Sequence, residues 1–172
     1  MRCSTFFSSL AAILAASVSV VSAQTTPLPT PKFEPLFAGQ FTISSSLNTS
    51  GPFGTRVHFV ISGGNLTDAK TGKVVGTILP FADDGVVSAS GSFFPDAVLP
   101  LTWNADGHLA SIKVTGVGTL NAGSTNYAHI ETDSPTYSWL NSNFFITRLT
   151  ATDPTAPVFT IYGVANSSSS SY

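Results

Sequence analysis

Between residues 36 and 165, apolar side chains do not recur at three- and four-residue spacing over any window long enough to make a helix. What recurs instead is short β-prone runs separated by Gly, Asp, Asn and Pro. These runs occupy 36–46, 56–62, 65–68, 73–79, 86–94, 98–104, 108–117, 124–131, 138–150 and 157–164, about ten strands. Gly63-Gly64, Asp83-Asp84-Gly85 and Ala105-Asp106-Gly107 read as turns or bulges between them. The last is the clearest hairpin, because Asp-Gly favours positive φ. Many short strands without helices restrict the chain to an all-β sandwich or barrel, and a single closed barrel is the expectation.

Composition narrows the function. Only 9% of the 172 residues are charged, with 7 Lys and Arg scattered singly and a formal net charge of −2. Such a chain has no basic stripe to follow a phosphate backbone, so nucleic acid is not an expected partner. Residues 1–23 read as a signal peptide: Arg2, an apolar run from Phe6 to Val21, then the small-residue pattern Val21-Ser22-Ala23. The expected location is therefore outside the cell or in the secretory lumen, with no membrane attachment after cleavage. The only cysteine, Cys3, leaves with the signal, so no disulfide or thiolate metal site follows. Residues 24–35 read as an extended Pro-rich lead-in, 36–165 as the barrel and 166–172 as a Ser-rich tail. Asn48, Asn65 and Asn166 open N-glycosylation sequons.

Strand alternation groups side chains by face. Val57, Phe59 and Ile61 share one face and Arg56, His58 and Val60 the other. In the same way Tyr127, His129 and Glu131 oppose Asn126, Ala128 and Ile130. A face mixing aromatic and ionisable groups is either a wet outer wall or the lining of a lumen, and alternation does not say which. His58, His108 and His129 lack metal-ligand spacing, so no metal is expected. No phosphate-binding or dinucleotide glycine fingerprint occurs either, and no cofactor is expected.

Gly54-Thr55-Arg56 followed by Ile61-Ser62-Gly63-Gly64, and Glu131-Thr132 followed by Tyr137-Ser138-Trp139-Leu140-Asn141, resemble the motifs of a family of small barrels. That family is known chiefly as domain of unknown function thirty-two thirty-seven, and the order of elements is similar from about Leu36 to Val164. Gly85, His129 and Ile130 depart from the residues common at those positions in the family. The resemblance implies an antiparallel barrel with a central pocket. In fungi it implies association with aromatic-polyketide pathways, where similar proteins act as cofactor-free cyclases that close an ether ring by hydroalkoxylation. For such chemistry Glu131, Asp84 and His129 are candidate proton carriers and Arg56 a candidate oxyanion holder. Trp139 and Tyr127 are candidate platforms for a flat substrate, with Asn141 and His58 orienting it.

Each candidate has a structural alternative. Arg56 and Glu131 fit an internal ion pair, Trp139 a core plug and Asn141 an amide capping a bulge. Asp83 and Asp84 fit an Asx turn, and His129 with Glu131 a surface pair. The catalytic reading expects a lumen closed at one end, of roughly 300–1,000 Å³, with Arg56, Glu131 and Trp139 inside. The competing reading is a non-catalytic secreted barrel that binds a small apolar ligand or acts at the cell surface. It expects an apolar or side-chain-filled interior with the charges at the rim. Oligomers are open to either reading, since the 13 Phe can supply an outer interface.

Overall fold

Period-two patterning does what it must: each strand turns its apolar set to one side, and the sheet closes on itself to bury that side. The computed structural model describes residues 30–164. The nine strands are β1 (Phe33–Gly51), β2 (Gly54–Asp68), β3 (Val74–Ile78), β4 (Phe81–Val87), β5 (Ser92–Trp103), β6 (Leu109–Thr119), β7 (Gly123–Thr132), β8 (Phe145–Thr150) and β9 (Val158–Val164). All pairings are antiparallel, and the order β1-β9-β8-β7-β6-β5 runs on through β3 and β4, which both bridge β5 to β2. Pairing of β2 with β1 then closes the ring.

The expected barrel is therefore present, with local corrections. The run 86–94 is not one strand: it spans the end of β4, a turn closed by the Gly91 N–H on the Ser88 carbonyl at 2.9 Å, and the start of β5, which continues without a break through the separately expected run at 98–104 as far as Trp103. Residues 65–68 continue β2 across an irregularity near Gly63 rather than forming a separate strand. Asp83-Asp84-Gly85 is not a turn but the centre of β4, because strands flank it on both sides. Residues 138–142 are not strand: Ser138–Ser142 form a short 3₁₀ helix whose Leu140 is buried. The Asp106-Gly107 hairpin is as expected, with the Gly107 N–H bonded to the Trp103 carbonyl at 2.9 Å. β1 starts at Phe33, which pairs with Val164, so the end of the expected lead-in belongs to the barrel. The expected signal and the Ser-rich tail, with Asn166, lie outside the described residues.

The lower end is plugged. Phe37, Leu66, Leu101, Ile130, Leu140 and Phe145 fill it around Trp103. Trp103 stacks on Tyr137 with ring centroids 3.8 Å apart and gives its indole N–H to Thr132 Oγ1 at 2.9 Å. Beneath them Ser134, fully buried, donates to Asp106 and accepts the Tyr137 N–H, tying the 3₁₀ segment to the β5–β6 turn. Burial of these rings and aliphatics is the main stabilising contribution.

Candidate active site

The upper half of the same barrel is not filled. Phe41, Phe59, Phe81, Phe93 and Phe159 line a cavity of about 90 Å³ that opens toward the β6–β7 turn and residues 151–157. Its shape depends on two glycines. A Cβ on Gly85 would lie 2.2 Å from the Phe93 ring, and one on Gly39 would lie 2.2 Å from the Phe159 ring. At both places an aromatic ring packs over the bare glycine of the strand paired with its own. The cavity is smaller than the sequence led us to expect. It holds several water-sized spheres rather than a whole multi-ring compound.

Two polar features enter this apolar space. Asp83, flanked across the ladder by Phe59 and Ala97, lines the cavity, and its Oδ1 is sealed from solvent without a hydrogen-bond partner. Burial pushes its carboxyl up to about 7, and the carboxylates of Asp84 and Asp96 add to the rise. Desolvation penalises the charged form, and no cation offsets it. On β7 and β8, Asn126 donates through Nδ2 to Ser124 Oγ at 3.1 Å and to Thr147 Oγ1 at 3.0 Å. Its Oδ1 is buried without a partner and sits over Gly116, where a Cβ would be 2.3 Å away. Among the described residues that line the cavity there is no Lys, Arg or His. An acid that is half-ionised near neutrality in a cation-free aromatic chamber can both take and return a proton.

The residues singled out from the sequence lie on the other side of the wall. Arg56, Asp84 and Glu131 are exposed, and His58 and His129 keep about half of their side chains in solvent. The reason is alternation: the aliphatic partners Val57, Ile61, Ala128 and Ile130 take the inside, so their neighbours must face out. Arg56 and Glu131 are not an internal pair. Glu131 instead meets His129 Nε2 at 3.2 Å, and Asp84 meets His58 Nδ1, both on the surface. Trp139 is 47% exposed and Tyr127 45%, so neither is a platform within the lumen. Asn141 is fixed to the backbone: it accepts the Thr132 N–H at 2.8 Å and donates to the Thr132 carbonyl at 2.9 Å. Asp83, which the sequence places in a turn, and Asn126, on the face opposite Tyr127, are not among the site residues expected from the sequence. The signal for Asp83 was the alternation Phe81, Asp83, Gly85, readable once 81–87 is taken as strand.

No family model matches the sequence, and no curated protein matches it. Solved structures do. A protein of unknown function from Clostridium acetobutylicum is 20% identical with a TM-score of 0.69, over 78% of this chain and 99% of that one. A beta-barrel-like protein from Acinetobacter baumannii is 24% identical with a TM-score of 0.68, over 83% of this chain and 100% of that one. An enzyme from Penicillium herquei is 20% identical with a TM-score of 0.58, over 81% of this chain and 99% of that one. These likenesses establish the fold.

Proposed function

We propose that this protein belongs to the barrel family its motifs resemble and acts as an exported, cofactor-independent cyclase or isomerase on an uncharged aromatic polyketide. Asp83 is the proton carrier in this reading. The observation that carries it is a carboxyl facing an aromatic lumen with no cation beside it, held near neutrality by burial. A structural acid would have been given a partner, because an unpaired buried carboxylate costs stability. The enzyme from Penicillium herquei on the same fold supports catalysis as the class of activity.

In ring closure by hydroalkoxylation, the Asp83 carboxylate takes the proton of a substrate hydroxyl as its oxygen bonds to an electron-poor alkene carbon. Asp83 then returns that proton to the adjacent carbon, so substrate and product are isomers and no redox partner is needed. The cavity takes the reacting ring, and the rest of a larger substrate lies in the open mouth. An anionic substrate is disfavoured, since the lining offers no positive charge.

One observation favours the competing ligand-binding reading: the expected ionisable set lies outside and most of the lining is apolar. Gene replacement separates the two. A strain carrying Asp83→Asn is expected to accumulate an open-chain isomer of the wild-type product, with equal mass and a different retention time. Normal product from the Asp83→Asn strain would overturn the catalytic reading and leave the binding one.

A further inference from the structure

β1 runs past the barrel wall with a strand on one side only. It pairs with β9 from Phe33 to Gln40, whereas its pairing with β2 continues out to Gly51 opposite Gly54. Residues 151–157 cover two further positions, through the Phe41 N–H bonded to the Pro157 carbonyl at 3.4 Å and the Ile43 N–H bonded to the Thr155 carbonyl at 2.8 Å. Beyond the irregularity at Ile43, the edge formed by 45–51 has no backbone partner on its outer side among the described residues. A bare edge of this length is a template for another strand.

Charge and proline, two usual protections of an edge, are missing. From Leu36 to Gly51 there is neither a charged residue nor a proline. Leu47 is 66% exposed on the arm and Phe53 83% exposed at its tip. In the middle of this neutral edge lies the sequon Asn48-Thr49-Ser50, with Asn48 exposed opposite Val57. Asn65 is placed differently: strands flank it on both sides, at Gln40 and Thr77, and its sequon hydroxyl, Thr67 Oγ1, donates to the Ala38 carbonyl at 2.9 Å.

We infer that Asn48 carries an N-linked glycan that shields the bare edge of β1 and keeps copies of the barrel from pairing there. This rests on the export reading, because the modification occurs in the secretory lumen. Asn48 Nδ2 bonds to the anomeric carbon of an oligosaccharide carried on a lipid pyrophosphate. The lipid pyrophosphate leaves, and the displaced amide proton passes to the medium. A bulky, hydrated group on this edge does what lysine or proline does on other edges.

The test expresses the full chain in a glycosylating yeast and measures intact mass before and after peptide N-glycosidase. Asn48→Gln and Ser50→Ala are each expected to lose the same glycan mass, while Asn65→Gln keeps it. Sedimentation at matched concentration is expected to show Ser50→Ala shifted to larger species than wild type, and Leu47→Lys in that background is expected to reverse the shift. Secreted protein with no glycan at Asn48 overturns the inference and leaves export standing. Glycan loss without any change in sedimentation overturns the shielding role. Retention of wild type inside the cells overturns export together with the inference.

Discussion

The two halves of this barrel are built from the same strands, alternate in the same way and differ in what they enclose. Below, large side chains from β1, β5, β7 and β8 meet around Trp103 and are buried together. Above, the inward positions include Gly39, Gly85 and Gly116, the polar Ser124, Asn126 and Thr147, and the acid Asp83. Small and polar residues at inward positions weaken packing, and a chain selected for stability alone would not keep them. The contrast teaches that the lower half holds the ring closed while the upper half trades packing for a chamber.

The comparison breaks most sharply at the plug. Trp103→Ala is expected to cost about 3–5 kcal/mol by urea denaturation, since it empties the stack on Tyr137 and strips Thr132 Oγ1 of its donor. A small loss would mean the lower half is not what holds the barrel together.

At Asp83 the expected sign is opposite. The carboxyl rises from 3.8 to about 7 on folding, so the native state binds the extra proton between those values. Its contribution to stability is full below pH 4, falls as pH rises to about 7 by up to about 4 kcal/mol in all, and levels off above that. Asp83→Asn removes that loss. Its melting temperature relative to wild type should therefore climb from pH 4 to pH 8, while function disappears. A constant difference across that range would show that Asp83 is not buried as a lone acid.

Gly85→Ala drives a methyl into the Phe93 ring and is expected to cost about 1–3 kcal/mol. Binding of 2-naphthol, followed by its fluorescence, should fall more than stability does, because the displaced ring closes the chamber. Unchanged binding would place the ligand elsewhere. The smallest effect is expected outside: Glu131→Gln breaks only an exposed pair with His129 and should change stability by less than about 0.5 kcal/mol. Product formation should be normal, and its loss would return the catalytic role to the outer face.

Much of this fold was readable before any coordinates. Most of the strands, the Asp106-Gly107 hairpin and the shared face of Val57, Phe59 and Ile61 follow from spacing and turn chemistry. The site was harder for two separate reasons. Asp-Asp-Gly is favoured in turns, yet pairing to β2 and β5 on both sides overrides that preference at Asp83-Asp84-Gly85. Alternation, moreover, sorts residues into two faces without saying which face is enclosed. Asn126 shares its face with Ala128 and Ile130 and went inside with them, while the chemically richer Tyr127, His129 and Glu131 went out.

The sequence by itself determined that this is an antiparallel all-β chain, where its clearest hairpin lies and which side chains travel together, because these depend on neighbours along the strand. Only closure of the ring decided which face became the interior and brought Asp83 of β4 into the same chamber as Asn126 of β7. Burying the apolar set on every strand at once is a property of the whole sheet, and the proton affinity of Asp83 was fixed when that burial removed its water.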